Sequence, residues 1–491
     1  MPGYPLFRKE KSNGKCPDNN CRVTDPSYHP GGAAAGARGN MPSATPILAM
    51  LQAWENRKNV RFCMPGHKGR DSLWSEAARF DITELPGTDN LLAPEGCIAR
   101  SQELTAAAHH AAHAFYGVNG SSGCILAMFS YFRPGDTVLV ARDFHRSVEN
   151  AIRVSGIRPV YIPVRQRVGE MPALPETADI LAAMAAHPEA KAVFVTYPNY
   201  YGMCLPLAEI ARNARKQGML LLADSAHGAH LSFSPDLPPD AGRAGADLWC
   251  VSYHKTLRAM NQTAVTFASS RVDAERLKRA VNCFQTTSPS YPLLASIESA
   301  RAEMVENGRE EIAGLLAHIR STRAALAADG IAAEETDDPT KLVLLCGAGQ
   351  SGFALAQCLH EREIEVEGAD MRHVLLLASI ANTKEDFDRL ADAVRETAAV
   401  GDPAPPGPEY LLRAEILPES ESGGEWVLPS QAPGRAAAAS VFAYPPGVPL
   451  WLADQPVREE DIALLASLQK TGYNLIGAEK GIFVRKQGPG R

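Results

Sequence analysis

The chain has 491 residues, of which 45% are hydrophobic and 21% are charged. This composition is ordinary for a folded globular protein and excludes a wholly disordered chain. The formal net charge is −7, which argues against a nucleic-acid-binding protein because such proteins usually carry a basic surface.

Sequence features also bear on the compartment. No run of 18 apolar residues is free of charge and proline, so we expect no membrane contact through a spanning helix. The amino-terminal sequence MPGYPLFRKEKSNGK lacks the apolar core of a secretory signal. The ten cysteines are scattered singly, which is typical of reduced, buried thiols, and Cys16 and Cys21 have no partners at zinc-binding spacing. These features predict a cytoplasmic protein without a metal site.

In chain order, residues 1–42 are rich in Gly, Ala, Pro and Asn without periodicity, and we interpret them as a flexible extension. Thr45 and Pro46 are suited to begin a helix. Residues 101–117 are predicted as a further helix. Short, wholly apolar runs then alternate with helical patterns, which indicates a mostly parallel sheet covered on both faces. The predicted strands lie at 137–141, 158–164, 191–198, 218–226, 247–254 and 263–269.

The second half of the chain predicts smaller units. Residues 291–330 form a long amphipathic helical pattern of the kind that bridges two domains, and a smaller α/β pattern follows it. The sequence DPAPPGPE near 401–408 has the composition of a linker. We therefore predict the flexible extension 1–42, an amino-terminal segment with a large α/β domain at 43–290, a small α/β domain at 291–400, and a carboxy-terminal α+β domain at 401–491.

Two charged residues end predicted strands. Asp224 ends the strand GMLLLAD, and Lys255 ends the strand DLWCVSYHK. Because ligands of open α/β sheets bind outside the carboxyl ends of strands, both side chains could face one crevice. A desolvated lysine there could act as a nucleophile that forms a Schiff base. A purely structural Lys–Asp pair remains an equal alternative on spacing alone.

A Gly/Ser turn, VNGSSGC at 118–124, comes before a helical pattern. Its hydroxyl and N–H groups could bind a phosphate at the helix amino terminus. The turn is neither a P-loop nor a dinucleotide fingerprint, and a turn of this kind that caps a helix without any ligand is common. His145 follows the strand at 137–141, where its ring could stack on an aromatic cofactor or could cap a helix.

The order of these features along the chain indicates one cofactor. A phosphate loop, a stacking ring, an acid at one strand end and a lysine at a later strand end follow one another along the chain. Pyridoxal 5′-phosphate (PLP) requires this set in its commonest fold.

Eight ordered motifs carry a specific resemblance. They are RFCMPGHKGR, DITELPGTDNLLAPEG, VNGSSG, DFHRSV, DSAHGAHLSF, SYHKTL with NQTA, TTSPSYPLLASIE and YPPGVPL. The chain from about Thr45 to near its end resembles the Orn/Lys/Arg decarboxylases, which are bacterial fold-type-I PLP enzymes of polyamine synthesis. It is similar to the short form, which lacks an amino-terminal wing domain.

The resemblance implies roles residue by residue. Lys255 matches the Schiff-base lysine, Asp224 the carboxylate on the pyridine nitrogen, and His145 the stacking ring. His254 flanks the cofactor and, with Lys255, is a candidate to return a proton to the substrate, and His227 lies beside the ring hydroxyl. The phosphate ligands implied are Ser121, Ser122, Gly123 and Ser252.

The resemblance also implies a homodimer with shared active sites. Two segments match regions that meet across the interface, and acidic residues are candidates to bind a cationic substrate. The interface candidates are His67, Lys68, Ser288, Ser290 and Tyr291, and the acidic candidates are Asp89, Glu84 and Glu95.

The implied activity is decarboxylation of lysine, ornithine or arginine to the corresponding amine and CO2. Two departures from the family pattern bear on it: Gln455 replaces a usual glutamate and Arg146 replaces a usual lysine. If the usual glutamate holds the distal cationic group of the substrate, Gln455 alters substrate choice or catalytic competence. The alternatives are an aminotransferase or lyase, for which Arg372 could bind the substrate carboxylate, and a catalytically silent regulator.

Overall fold

The structure, a computed structural model, describes residues 44–56, 65, 68, 75–416, 423–444 and 447–486. The predicted extension 1–42 and His67 lie outside the described residues. Among the described residues, no helix has the length and apolar character needed to cross a bilayer.

A seven-stranded sheet organises the large α/β region. Its strand order is β1-β8-β7-β6-β5-β2-β3, and the pairings from β7 to β3 are all parallel, whereas β8 runs antiparallel to its neighbours. The prediction of a mostly parallel α/β sheet is confirmed. The strands of this region are β1 (His113–Gly117), β2 (Thr137–Ala141), β3 (Arg158–Ile162), β4 (Val164–Arg167), β5 (Ala192–Thr196), β6 (Leu220–Asp224), β7 (Leu248–Ser252) and β8 (Ala264–Ala268), of which β4 lies outside the large sheet.

Helices cover both faces of this sheet. Alternate residues of each central strand point into two different cores: Val193 and Leu221 into one, Phe194 and Leu222 into the other. This arrangement explains why the strands are apolar at every position. The helices are α1 (Pro46–Asn56), α2 (Ser75–Phe80), α3 (Cys97–Ala108), α4 (Gly120–Ser130), α5 (Arg146–Ser155), α6 (Thr177–Ala186), α7 (Leu207–Lys216), α8 (Tyr253–Thr256) and α9 (Ala274–Asn282).

The predicted helix at 101–117 is wrong in its second half. Helix α3 ends at Ala108, His110 adopts a left-handed backbone with φ of 56°, and residues 113–117 form the edge strand β1. Tyr116 is fully buried, and its hydroxyl lies 2.7 Å from the hydroxyls of Ser101 and Thr105 on α3. The aromatic sequence HAFYG therefore pairs with β8 and packs back on the helix that precedes it.

A 38-residue helix, α10 (Tyr291–Ala328), begins the second half of the chain, as predicted. It leads into a four-stranded antiparallel sheet with the order β11-β12-β10-β9. The elements of this region are β9 (Ala332–Glu334), β10 (Lys341–Leu345), α11 (Gly352–His360), β11 (Gly368–Ala369), β12 (His373–Leu377) and α12 (Lys384–Thr397).

The remaining segment packs on the large α/β region. Strand β13 pairs with β4, and the buried Arg142 donates through Nε to the Arg413 carbonyl at 2.8 Å. The predicted boundaries at 42/43, 290/291 and 400/401 remain predictions. The elements are β13 (Glu409–Leu412), β14 (Gly424–Val427), β15 (Val441–Tyr444), β16 (Val448–Trp451), α13 (Glu459–Lys470), β17 (Asn474–Ile476) and β18 (Ile482–Arg485).

Candidate active site

A cavity of about 490 Å³ lies at the carboxyl edge of the large sheet. Asp224 is the last residue of β6, Thr196 is the last residue of β5, and Asp143 follows β2 by two residues. His254 and Lys255 lie on α8, which directly follows β7. All five residues line the cavity, as expected for an edge where parallel strands end together.

Lys255 and His227 are in direct polar contact inside the cavity. Their Nζ and Nε2 atoms are 3.0 Å apart. Burial lowers the pKa of Lys255, while the Asp224 carboxylate acts in the opposite direction. Burial, and then the Lys255 charge, hold the pKa of His227 well below its usual range. The pair therefore favours a neutral imidazole beside an amine that is easier to deprotonate than an exposed lysine.

Asp224 is buried between two elements of the sheet. Its Oδ1 accepts the Ala226 N–H at 3.1 Å and lies 3.9 Å from the Cys250 thiol. The carboxylate lines the cavity without a salt bridge among the described residues. It is therefore placed to accept a hydrogen bond from a cationic ring nitrogen.

The amino terminus of α4 also opens into the cavity. Gly120 has a left-handed φ of 65°, and its N–H donates to the Gln262 carbonyl at 2.8 Å. Ser121 and Ser122 follow in the first helical turn and line the cavity. Hydroxyl donors at the start of an 11-residue helix make a site for a phosphate.

Gly123 and Ser252 lie behind this turn. A side chain on Gly123 would approach the Asn119 Cβ to 3.2 Å, so the glycine allows the turn to close tightly. Ser252 ends β7 and is fully buried, and its hydroxyl has no hydrogen-bond partner within the described part of the chain. Neither residue is among those that line the cavity.

His145 serves as the amino-terminal cap of α5. Its Nδ1 accepts the Ser147 N–H at 3.2 Å and lies 2.8 Å from the Ser147 hydroxyl. The ring also lines the cavity, and burial lowers its pKa. The two interpretations of this histidine are thus compatible, because the cap fixes the ring while its face stays available for stacking.

His254 has a defined tautomer. Its Nδ1 lies 2.9 Å from the Thr263 carbonyl, which can only accept a hydrogen bond, so Nδ1 carries the proton. In the neutral ring Nε2 is then unprotonated. This nitrogen is available to receive or return a proton in the cavity.

The interface candidates lie outside the cavity. Tyr291 is buried and donates its hydroxyl to the Asp89 carbonyl at 2.5 Å, whereas Ser288 is exposed. Ser290 precedes α10 as its cap residue, and Lys68 adopts a left-handed φ of 56°. The structure contains one chain, so the subunit interface at these positions stays a prediction.

The acidic candidates are also outside the cavity. The Asp89 carboxylate accepts the backbone N–H groups of Asn90, Glu95, Gly96 and Ile98 at 2.7–3.0 Å. It therefore organises the loop that begins α3. Glu84 accepts the Thr83 hydroxyl at 2.6 Å, and Glu95 is exposed.

The structure accounts for Gln455 locally. The side chain is buried outside the cavity, and its Nε2 donates to the Arg413 and Glu415 carbonyls at 3.0 and 2.8 Å. Its Oε1 accepts the Leu452 N–H at 2.9 Å. An amide satisfies all three bonds, whereas a carboxylate would oppose two carbonyl oxygens. Gln455 therefore has a structural role in this chain.

Two arginines singled out from the sequence face away from the cavity. Arg372 donates through Nη1 to the Gly169 carbonyl at 3.2 Å. Arg146 lies over the Phe442 ring, with 5.5 Å between its guanidinium carbon and the ring centroid. Neither is among the residues that line the cavity.

Sequence reasoning missed several lining residues. Asp143 is buried, neither carboxyl oxygen has a partner in the described chain, and burial raises its pKa to about 7. Its place just after β2 is the signal that could have found it. Glu367, Tyr200 and Tyr444 reach the cavity from distant segments, and no local pattern marks them.

The residues of this cavity fit PLP. Uncommitted polar atoms of Thr196, His227 and Ser252 remain at or beside the site among the described residues, together with an open helix terminus, a carboxylate and a desolvated lysine. The fold and the site define the class of fold-type-I PLP enzymes.

Comparison with known proteins gives the family. Residues 45–342 match the major domain of Orn/Lys/Arg decarboxylases, and the chain belongs to this family. It is 30% identical to an arginine decarboxylase of Halalkalibacterium halodurans and to one of Bacillus subtilis, each match covering 89% of this chain and 96% of the relative.

A solved structure agrees on the fold. Lysine decarboxylase A from Pseudomonas aeruginosa superposes with a TM-score of 0.76 at 20% identity, over 90% of this chain and 81% of the other. The family and its fold make the chain a PLP-dependent enzyme of the carboxy-lyase class.

Proposed function

We propose that this enzyme decarboxylates a basic amino acid, with arginine as the first substrate to test, and releases the corresponding amine and CO2. The observation that carries the proposal is the juxtaposition of Lys255, His227 and Asp224 in a cavity that also contains an acidic residue from the small sheet region. Two full-length relatives named arginine decarboxylases favour arginine over lysine or ornithine.

The cofactor-binding roles divide along the cavity. Asp224 would hold the pyridine nitrogen, and His145 would cover one face of the ring. Ser121, Ser122 and Gly123 at the start of α4, with Ser252, would hold the phosphate. When bound, PLP supplies an electron-accepting ring that weakens the bond between Cα and the substrate carboxylate.

The remaining lining residues would act on protons and orientation. Lys255 would hold the cofactor covalently, a role that requires a neutral amine, and burial favours that state. His227 holds this amine at 3.0 Å. His254, with its proton on Nδ1, offers Nε2 to move a proton at the reacting carbon.

Glu367 is the side chain that we assign to the distal cation of the substrate. It lines the cavity, and its charge is near enough to influence the pKa of Lys255. The Tyr200 hydroxyl donates to the Glu367 carbonyl at 3.1 Å, and the Glu367 N–H donates to Leu375 at 3.0 Å. These two hydrogen bonds hold the backbone of Glu367 in place.

The aminotransferase alternative has less support. That reaction needs a cation for the substrate carboxylate, and Arg372 instead binds the Gly169 carbonyl. No arginine lines the cavity in the part of the chain that the structure describes. Lys255 and Asp224 are both present, which argues against a silent regulator.

The test is product analysis of the PLP-loaded protein with arginine, lysine and ornithine supplied separately. Mass spectrometry should detect one dominant amine among agmatine, cadaverine and putrescine. Lys255→Ala should form no amine and lose the visible absorbance of bound cofactor, while Lys216→Ala, an exposed control on α7, should match the parent. Visible absorbance without any amine would overturn the proposed reaction.

We also propose a cytoplasmic homodimer in which Ser288, Ser290, Tyr291 and the segment around Lys68 contribute to a shared site. Light scattering after size-exclusion chromatography should give about twice the mass of one chain. A monomer that retains full turnover would contradict this proposal.

A further inference from the structure

A buried ion pair lies at the start of the small sheet, outside the cavity. Asp338 and Lys341 are both fully buried, and their Oδ2 and Nζ atoms are 3.3 Å apart. Within the residues that the structure describes, the Lys341 ammonium has no hydrogen-bond partner. Burying an ammonium group that is paired with only one carboxylate costs free energy of folding. A pair that is kept at this cost is a candidate for a functional role.

The pair touches the segment that carries His227. The Asp338 carboxylate lies 3.1–3.2 Å from His230 Nε2 and accepts the Thr340 hydroxyl at 2.7 Å. His227 lies in a turn closed by a 2.8 Å hydrogen bond from the Gly228 N–H to the Ser225 carbonyl. His230 lies in the next turn, which a 3.2 Å hydrogen bond from the Leu231 N–H to the Gly228 carbonyl closes. The ion pair is therefore one short turn away from the reactive centre.

A second contact reaches the same centre from another side. The Asp338 N–H donates to the Gly202 carbonyl at 2.9 Å. Gly202 has a φ of 87°, and a Cβ there would lie 2.7 Å from the Lys341 Cγ. Gly202 lies two residues after Tyr200, whose ring packs edge-on against His227 with 5.3 Å between centroids.

The charges of the pair act on the catalytic groups in opposite directions. After burial and Lys255, Lys341 lowers the pKa of His227, whereas Asp338 raises it. Lys341 also lowers the pKa of Lys255, while Asp224, Glu367 and Cys250 raise it. Among the described residues, the titratable groups around Lys255 and His227 are Asp224, Cys250, Glu367, His145, His230, Asp338, Lys341 and Tyr200, and Asp143 and His254 line the same cavity.

We propose that Asp338 and Lys341 form a positioning pair for the reactive centre. The pair fixes the segment that carries His227, and the Lys341 charge contributes to the electrostatic potential at Lys255 and His227, with Asp338 opposing it at His227. This proposal rests on the proposed function, because it takes Lys255 as the amine that binds the cofactor.

The test is a pH titration of the visible absorbance of the PLP-loaded protein without substrate. The absorbance reports whether the nitrogen that links Lys255 to the cofactor is protonated. Lys341→Met removes the cation at similar volume and should raise the midpoint by about 0.5–1 pH unit. Asp338→Asn leaves the cation unbalanced and should give a midpoint at or below that of the parent.

The double variant Asp338→Asn/Lys341→Met removes both charges and should lie closer to the parent than Lys341→Met does. It also gives a readout if an unpaired Asp338 prevents folding of the single variant. Lys384→Met is the matched control, because Lys384 pairs with Asp388 on the exposed face of α12 at 2.6 Å, and it should leave the midpoint unchanged.

The outcomes separate this inference from the proposed function. If the parent shows no visible absorbance with PLP, the proposed function fails. If the parent absorbs and forms amine, but Lys341→Met leaves the midpoint unchanged, the inference is overturned while the function stands. If Lys341→Met does not fold, a midpoint of Asp338→Asn above that of the parent overturns it. A rise in both single variants would indicate a purely structural disturbance and would also overturn it.

Discussion

The two walls of the cavity arise in different ways. One wall consists of residues that follow sheet strands, namely Asp143, Thr196, Asp224, His254 and Lys255. The other consists of Glu367, Tyr444 and Val448, which come from the small sheet and the carboxy-terminal segment. The first wall provides groups for cofactor chemistry, and the second is suited to selecting the substrate. Local sequence motifs therefore identify the residues for cofactor chemistry more readily than the residues that select the substrate.

The largest expected effect tests the wall formed by residues that follow sheet strands. Asp224→Ala removes the carboxylate assigned to the pyridine nitrogen, so the ring should accept electrons less well. We expect kcat to fall by about 10²-fold or more, equivalent to about 3 kcal/mol. Steady-state amine production would measure it, with Asp402→Ala, an exposed site, as control. Near-parental kcat in Asp224→Ala would remove this carboxylate from the mechanism.

The next effect tests whether the carboxy-terminal motif belongs to the site or to the scaffold. Gln455→Glu would place a buried carboxylate against the carbonyls of Arg413 and Glu415. We expect a loss of about 2–3 kcal/mol in the free energy of unfolding. Urea unfolding would measure it, and Gln469→Glu on the exposed face of α13 should change little. A rise in turnover without a loss of stability would instead support a substrate role.

A pH-dependent effect tests Asp143, a carboxylic acid in the wall formed by residues that follow sheet strands. Its oxygens have no hydrogen-bond partner among the described residues. Because burial raises the pKa of Asp143 to about 7, the folded protein binds more protons than the unfolded chain between about pH 4 and pH 7. The stability contributed by this group is therefore lost as pH rises through that window.

Asp143→Asn removes this loss, so the variant should gain stability relative to the parent between pH 5 and pH 8, on the order of 2 kcal/mol. Urea unfolding of the cofactor-free proteins at both pH values would measure the difference. Asp402→Asn should show no such change. A difference that is independent of pH would mean that Asp143 titrates normally.

The smallest effect tests the substrate wall. Glu367→Gln keeps the shape of the side chain but removes the charge assigned to the distal cation. We expect KM to rise roughly tenfold with kcat largely retained, since the lost interaction is worth about 1.5 kcal/mol. Glu365→Gln is the matched control, because Glu365 is exposed in the same segment and does not line the cavity. Equal KM values in both variants would assign the distal cation elsewhere.

Prediction from sequence succeeded where the signal was local. Apolar strands bounded by helical patterns defined the sheet. Asp224 could be located because it ends such a strand, and Lys255 because it follows one, although it lies on the short helix α8 and not in the strand as predicted. It failed at 113–117, where a helical pattern continued into a strand that only pairing with β8 reveals. The resemblance linked Gln455 to the substrate only if the usual glutamate holds the distal cation, and the structure shows that the hydrogen-bond partners of Gln455 are backbone groups.

The sequence alone determined the family and the central sheet, and it indicated which residues we propose to hold PLP, because each of these depends on short segments with a fixed order. Only the tertiary structure decided that Asp143 and Glu367 line the same cavity, that Asp89 organises a loop, and that Asp338 and Lys341 stand behind His227. The shared cavity and the pair behind His227 join residues far apart in the chain. Their physical basis is burial and charge proximity, which arise only when the large and small sheets pack together.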